Sequence, residues 1–278
     1  MLFLLLAVFS SAMISIMMRV SADKTSANLS TLATNYLVCS LLGAGYAGFD
    51  LAAPEVPGYW VTLLLGLVSG VLYLAGLVMF QANTRRRGVV LSAVFMKLGL
   101  LVPMVAAVLL FHEIPTAVQI LGFCIALFAI LLINLKKDGS GKGFGFGLIV
   151  MLLLSGGADV MAKLFDVYAP ADLSSLYLFY TFGTAFLLCA VLAAVKKERP
   201  GFRELLYGTL IGIPNFFSAK FLLGALTQLP AVVVYPSFSV GTMLLVTVTG
   251  VAVFRERLSR RQWVAMGAII VALALLNI

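Results

Sequence analysis

Four charged side chains, Lys97, Asp159, Lys163 and Lys220, stand inside stretches of sequence that are otherwise almost wholly apolar. At about 1.5 Å of rise per helical residue, Lys97 lies about 13 Å from the nearer end of its stretch and Lys220 about 10 Å. A lysine at that depth does not snorkel comfortably to water, so each needs an anionic partner, a wet cavity or loss of its proton. Two chemistries fit. Lys97 and Lys220 form a cationic pocket for a substrate carboxylate, sulfonate or phosphate, or one of them pairs with Asp159 or caps carbonyls freed at a proline. Asp159 precedes Lys163 by four residues on one helical face. That spacing suits an internal ion pair that eases burial of both, and equally a proton or cation relay whose charge follows substrate occupancy. Lys163 and Arg19 lie within about a turn of a helix end, where snorkelling competes with a role in the site.

Hydrogen-bonding groups cluster at prolines. "VVVYPSFSVGT" places Tyr235 and Ser237 on either side of Pro236, Asn215 follows Pro214, and Pro103 stands in the fourth apolar stretch. Proline removes a backbone donor and frees carbonyls, and interrupted helices near the midplane are where transporters place ligand contacts. Tyr235, Ser237, Asn215 and Tyr73 would supply the hydrogen bonds and apolar walls of such a pocket. Ordinary kinked packing is the competing reading, above all for Pro103.

These residues must be positioned by helices in lipid. Hydrophobic residues make up 62% of the 278, charged residues 11%, and the mean hydropathy is +1.11. Soluble domains are about half apolar and a quarter charged, so the composition selects an integral membrane protein. Apolar runs of membrane-spanning length recur at 1–20, 30–49, 58–81, 88–111, 116–135, 144–166, 173–195, 202–227, 231–253 and 260–278. Nothing alternates as barrel strands do, and helices satisfy every backbone group within the segment. The expected fold is therefore all-α with ten transmembrane helices. The first span resembles a signal peptide ending in Val20-Ser21-Ala22, but it lacks a basic leading region, runs too long and has a counterpart in mid-chain, so it is expected to stay. Trp60 and Trp263 fall at helix starts, as interface anchors do.

The chain also repeats itself. At an offset of 143, Phe111 meets Phe254, Glu113 meets Glu256, Gln119 meets Gln262, Ala129 meets Ala272 and Leu132 meets Leu275. At an offset of 144, Ser11 meets Ser155, Met17 meets Met161 and Arg19 meets Lys163. The repeat holds five spans, an odd number, so the second copy enters the membrane from the opposite side. Residues 1–138 and 144–278 are thus expected as two inverted five-helix repeats, with a site near the midplane where they meet. The "GKGFGFG" at 141–147 lacks the strand and the closing Lys-Ser/Thr of a phosphate loop, and reads as a flexible link.

Sixteen of the nineteen Lys and Arg residues fall in the odd-numbered connections, Arg85-Arg86-Arg87 and Arg260-Arg261 among them. The even-numbered connections carry none and hold Asp50, Glu55, Glu113, Asp166 and Asp172. By the positive-inside rule the odd connections are cytoplasmic and both termini external, in a multi-pass protein of the inner (plasma) membrane. The net charge of +8 follows from this bias. It attracts anionic headgroups of membrane lipids and calls for no nucleic-acid partner. Cys39, Cys124 and Cys189 lie inside spans without a CxxC pair, and His112 is the one histidine, so they read as small core residues rather than metal ligands.

The repeated glutamate after the fourth and ninth spans ("LLFHEIPTAVQILG", "AVFRERLSRRQWVAMG"), the helix ends "INL" and "LNI", and above all "LLGALTQLPAVVVYPSFSVGTMLLVTVTGVAVFRERLS" resemble the EamA-like branch of the drug/metabolite transporter superfamily. The resemblance covers essentially the whole chain. It implies a central cavity lined by spans 1–4 and 6–9, with spans 5 and 10 at the periphery. Residues 116–135 and 262–278 indeed contain no ionisable group. Members of the family commonly place both termini in the cytoplasm, so either the charge bias is reversed in this chain or the span count differs by one.

Three functions compete. A secondary transporter of a small polar metabolite, anionic or zwitterionic, fits the repeat and the buried lysines, and no nucleotide-binding motif offers ATP coupling. Protons or a counter-transported metabolite would then couple transport, and a homodimer stays open. A flippase of a lipid-linked phosphate carrier would use the same lysines on a headgroup. An intramembrane enzyme has least to work with, since the sequence offers neither a metal-ligand cluster nor paired catalytic carboxylates, and no cofactor is expected.

Overall fold

A computed structural model describes residues 1–22, 24–25, 27–48, 50–52, 54–87, 96, 98–134, 146–253 and 260–276. Lys97 and Glu256 lie outside the described residues. The helices are α1 (Leu2–Ala22), α2 (Asn28–Tyr46), α3 (Tyr59–Arg87), α4 (Leu101–Phe111), α5 (Ala117–Asn134), α6 (Phe146–Tyr168), α7 (Ser174–Val195), α8 (Phe202–Leu226), α9 (Ala231–Ala252) and α10 (Arg260–Leu276). No strand occurs among the described residues. Six helices, α1, α3, α6, α7, α8 and α9, are long and apolar enough to cross a membrane. The protein is all-helical and compatible with a multi-pass membrane location.

The chain forms two compact units, and each draws on both halves of the sequence. Unit 1 comprises Met1–Leu74 and Met161–Gln228, and unit 2 comprises Ala75–Val160 and Leu229–Ile278. The chain therefore passes from one unit to the other within α3 and again within α6.

In unit 1, α2 packs on α7 and α8, and α1 packs on α8. Helix α2 is the polar member: Ser30, Thr31, Thr34, Asn35 and Ser40 are all buried. Lipid would expose those groups to hydrocarbon, so burial against neighbouring helices decides where α2 sits. Two G-x-x-x-G stretches make room. A Cβ on Gly208 would fall 2.7 Å from the Thr31 carbonyl oxygen and one on Gly212 2.8 Å from that of Asn35, so α8 meets α2 backbone to backbone. Gly66 and Gly70 of α3 press in the same way against Tyr180 and Thr184 of α7.

In unit 2, α5 packs along α10, and α9 meets α4, α5 and α10. Ala126 and Ala129 of α5 and Ala265, Ile269 and Ala272 of α10 are fully buried in one core with Phe123 and Val240. Small side chains again allow close approach where no hydrophobic gain separates helix from lipid. Cys124 departs from the expected core role: it is exposed on the outer face of α5, whereas Cys39 and Cys189 are buried. A thiol is apolar enough for either environment.

Glutamates hold helix starts in both units. The first amides of a helix lack intrahelical acceptors, and the N-terminus carries partial positive charge. Glu113 Oε2 accepts from the Val232 amide at 3.2 Å, which gives the glutamate after α4 a task at the start of α9. In unit 1, Glu198 Oε2 accepts from the amides of Leu29 at 2.9 Å and Ser30 at 3.2 Å.

Candidate functional site

Lys220 projects from α8 two turns before its end. Its ammonium lies 3.6 Å from the Tyr46 ring centroid and 5.8 Å from that of Phe216, and donates to Ser175 Oγ at 3.1 Å. A ring face attracts a cation without neutralising it. Of three N–H donors, Ser175 occupies one, and no carboxylate pairs with Lys220 among the described residues. The ammonium is thus held in place by one hydroxyl and one ring while keeping donors for an anion.

Lys220 lines a cavity of about 280 Å³ in unit 1, walled by Phe3, Phe165 and Phe221 and by Asp166, Ser174 and Thr227. The volume falls near the lower bound of ligand pockets, about 300 Å³, which suits a metabolite of modest size. The connection between α6 and α7 contributes Ala169 and Ala171, so the cavity reaches the end of unit 1 that carries this connection and the end of α8.

Asp166 and Lys163 correct the sequence reading. Asp166 lies within α6 rather than in a connection, and Lys163 Nζ meets its Oδ2 at 3.0 Å. Lys163 is 6% exposed, so it is packed and paired instead of snorkelling. The helix runs on to Tyr168, two residues beyond the expected span, so Asp166 is held in helical register at i,i+3 from Lys163. The cavity wall therefore carries a carboxylate from α6, itself paired with Lys163, as well as Lys220.

The remaining candidates divide between the units. In unit 1, Asn215 Nδ2 donates to Asn35 Oδ1 at 3.1 Å, joining α8 to the polar face of α2. Tyr73 packs against Phe182 with centroids 6.0 Å apart. In unit 2, Tyr235 and Ser237 are 2% and 3% exposed, and the Tyr235 hydroxyl donates to the Asp159 carbonyl at 2.6 Å. Tyr235 thus joins α9 to α6, and neither it, Ser237 nor Asp159 lines the Lys220 cavity. Helices α8 and α9 continue through Pro214 and Pro236, whereas α4 begins at Leu101, two residues before Pro103, after a turn at Gly99–Leu100. His112 closes α4 with φ 53°, a helix-capping position.

Sequence reasoning missed Tyr46 and Ser175. Both lie near helix ends, where tyrosine and serine have many ordinary uses, and only the packing of α2 and α7 on α8 brings them to Lys220.

The fold and this cavity define a class, an all-helical membrane-compatible protein with, in an aromatic-walled pocket, a lysine that has no carboxylate partner among the described residues. No family model matches the chain. An uncharacterized protein of Haemophilus influenzae is 24% identical over 277 residues, covering 95% of this chain and 93% of its own. A protein of known crystal structure shares the fold with a TM-score of 0.73 at 14% identity, over 99% of this chain and 94% of its own. At that identity the likeness concerns the fold alone.

Proposed function

We propose that the chain is a secondary transporter of the EamA-like branch of the drug/metabolite transporter superfamily, with ten spans in two inverted repeats, 1–138 and 144–278. Its substrate is a small polar metabolite, anionic or zwitterionic, carried by alternating exposure of the Lys220 cavity. Lys220 carries the proposal: an ammonium fixed by Tyr46 and Ser175, with donors to spare and no paired carboxylate among the described residues. In a low-dielectric surround such a charge is costly until an anion arrives, which gives the cavity its preference. Asp166, which also lines the cavity, offers a contact for a substrate ammonium.

The inverted repeat is supported by helix pairs five apart in order. Helices α2 and α7 pack together, as do α4 and α9, and α5 and α10. Helices beside a two-fold axis meet their own mates in this way. The two G-x-x-x-G stretches, on α3 against α7 and on α8 against α2, are a further related pair. A lipid-linked carrier would need a larger, laterally open site than about 280 Å³ provides.

Two measurements follow. Thermal unfolding of the purified protein, screened against metabolite classes, is expected to shift upward with small carboxylates or zwitterions and not with neutral isosteres, because a ligand that binds the folded state alone stabilises it. A shift with neutral compounds alone contradicts the assignment. A reporter fused after Ile278 is expected to read an external C-terminus, following the charge bias. A cytoplasmic reading reverses the orientation while leaving the repeat in place.

A further inference from the structure

The sequence Glu-x-Pro-Gly-aromatic occurs twice, as Glu55-Val56-Pro57-Gly58-Tyr59 and as Glu198-Arg199-Pro200-Gly201-Phe202, at an offset of 143. The helix starts near these motifs are also repeated. Ala27-Asn28-Leu29-Ser30-Thr31-Leu32 matches Ala171-Asp172-Leu173-Ser174-Ser175-Leu176 at an offset of 144. Each glutamate thus has a counterpart, and so has each helix start.

The two ends are nevertheless in different states. Glu198 caps α2, accepting from Leu29 and Ser30. The amides equivalent to these belong to Leu173 and Ser174 at the start of α7. Both are turned inward, Leu173 to the Pro170 carbonyl at 3.0 Å and Ser174 to that of Ala171, within a 3-10 turn at Ala171–Leu173. Glu55, the counterpart of Glu198, is exposed and makes no hydrogen bond or ion pair among the described residues.

Glu55 is nevertheless close to that turn. Gly58, three residues on, has φ 84°, and a Cβ there would lie 2.5 Å from Pro170 Cδ. The Tyr180 hydroxyl of α7 donates to the Leu51 carbonyl at 2.5 Å and lies 2.9 Å from that of Tyr59, which ties this segment to α7 from both sides of Glu55. The wall of the Lys220 cavity includes Ala169, Ala171 and Ser174 of this same end.

We infer that Glu55 is a latch for a second conformation, in which it caps Leu173 and Ser174 as Glu198 now caps Leu29 and Ser30. The 3-10 turn gives up its internal bonds, the cavity closes at the α6–α7 connection, and Glu198 releases α2. The inference rests on the inverted-repeat reading. It adds to it the pair of residues that exchange roles. The arrangement also accounts for the state seen here. Glu204 is buried beside Glu198 and reaches the Ala27 amide at 3.5 Å and the Gly201 amide at 3.1 Å, whereas its counterpart at the other end is Val61. Two glutamates hold the α2 start and one is available for the α7 start.

The test reads the α2 end while changing the other. Ser30→Cys is made in full-length protein with Cys124→Ser, and a hydrophilic maleimide is applied in nanodiscs, where both ends are accessible. Ser30 is buried in the conformation described, so its labelling measures the second one. Glu55 lies beyond the far end of α2, about 28 Å away at 1.5 Å per residue. It is exposed and makes no hydrogen bond or ion pair among the described residues, so Glu55→Gln takes no such contact from this state. Losing a cap is expected to depopulate the second conformation and slow Ser30→Cys labelling about fivefold. Glu198→Gln is expected to speed it by a similar factor, and Asp50→Asn, an exposed carboxylate nearby, to leave it unchanged. A rate unaffected by Glu55→Gln, or no labelling of the parent at all, overturns the latch. Anion binding at Lys220 is measured independently and stands or falls without it.

Discussion

Lys220→Gln is expected to weaken binding of a charged substrate by about tenfold or more and that of a neutral analogue far less. Glutamine keeps much of the length and can still reach Ser175 Oγ, but it removes the charge that Tyr46 and Ser175 hold in the cavity. Loss of a charge-assisted contact costs about 1.5 to 3 kcal/mol. The check is calorimetric titration of wild-type and variant with a carboxylate ligand from the stability screen and with its amide. Equal weakening of both ligands would make Lys220 a packing residue and remove the basis of the anion assignment. Tyr46→Leu provides a graded companion, since it leaves the charge and takes away the ring that holds it.

Asp166→Asn is expected to produce the larger loss of stability, about 3 kcal/mol. Lys163 and Asp166 are both packed away from water and meet at 3.0 Å, so removing one charge takes from the other a close ion-pair contact in a poorly hydrated place. Replacing both, as Lys163→Met with Asp166→Leu, is expected to restore most of the loss, because no charge is then stranded. Unfolding midpoints of the three proteins test this. A double variant no more stable than Asp166→Asn would mean that the site needs these groups for packing rather than charge balance.

How much of this was legible beforehand differs from element to element. Hydropathy located α1, α3 and α6 to α9, the described helices long and apolar enough to cross a membrane, because a surface that faces lipid must be apolar along its whole length. Lys220 stood out for the same reason, as a charge in an apolar run. Its surroundings were not legible: Tyr46, Phe216 and Ser175 belong to α2, α8 and α7, and their convergence depends on how closely glycines let α8 approach its neighbours. Asp166 was misplaced because hydropathy falls before the helix does. A charged pair that satisfies itself at i,i+3 lets α6 continue to Tyr168. The glutamates were half legible. The repetition of Glu113 is plain in sequence, while its capping of α9 at Val232 requires the fold. The Glu55 and Glu198 motifs could have been found at the same offset as the other repeats, but both sit in connections, where a Pro-Gly pair reads as a turn and draws no further notice.

The grouping into units shows a second limit. Sequence repetition divides the chain in the middle, yet Met161–Gln228 packs with Met1–Leu74. Contacts between α2 and α7 and between α1 and α8 join residues more than a hundred positions apart, and no local pattern reports them.

The central claim, that this chain carries a small charged metabolite across a membrane without nucleotide, is tested most directly by exchange in proteoliposomes. Purified protein would be reconstituted with the carboxylate or zwitterion that stabilises it most. Uptake of labelled substrate would then be followed into vesicles preloaded with the unlabelled compound, in the absence of ATP. The account predicts transient accumulation of label above equilibrium in wild-type vesicles and its loss in Lys220→Gln vesicles of equal protein content. Binding without any exchange, in wild-type protein that remains folded in the bilayer, would contradict it.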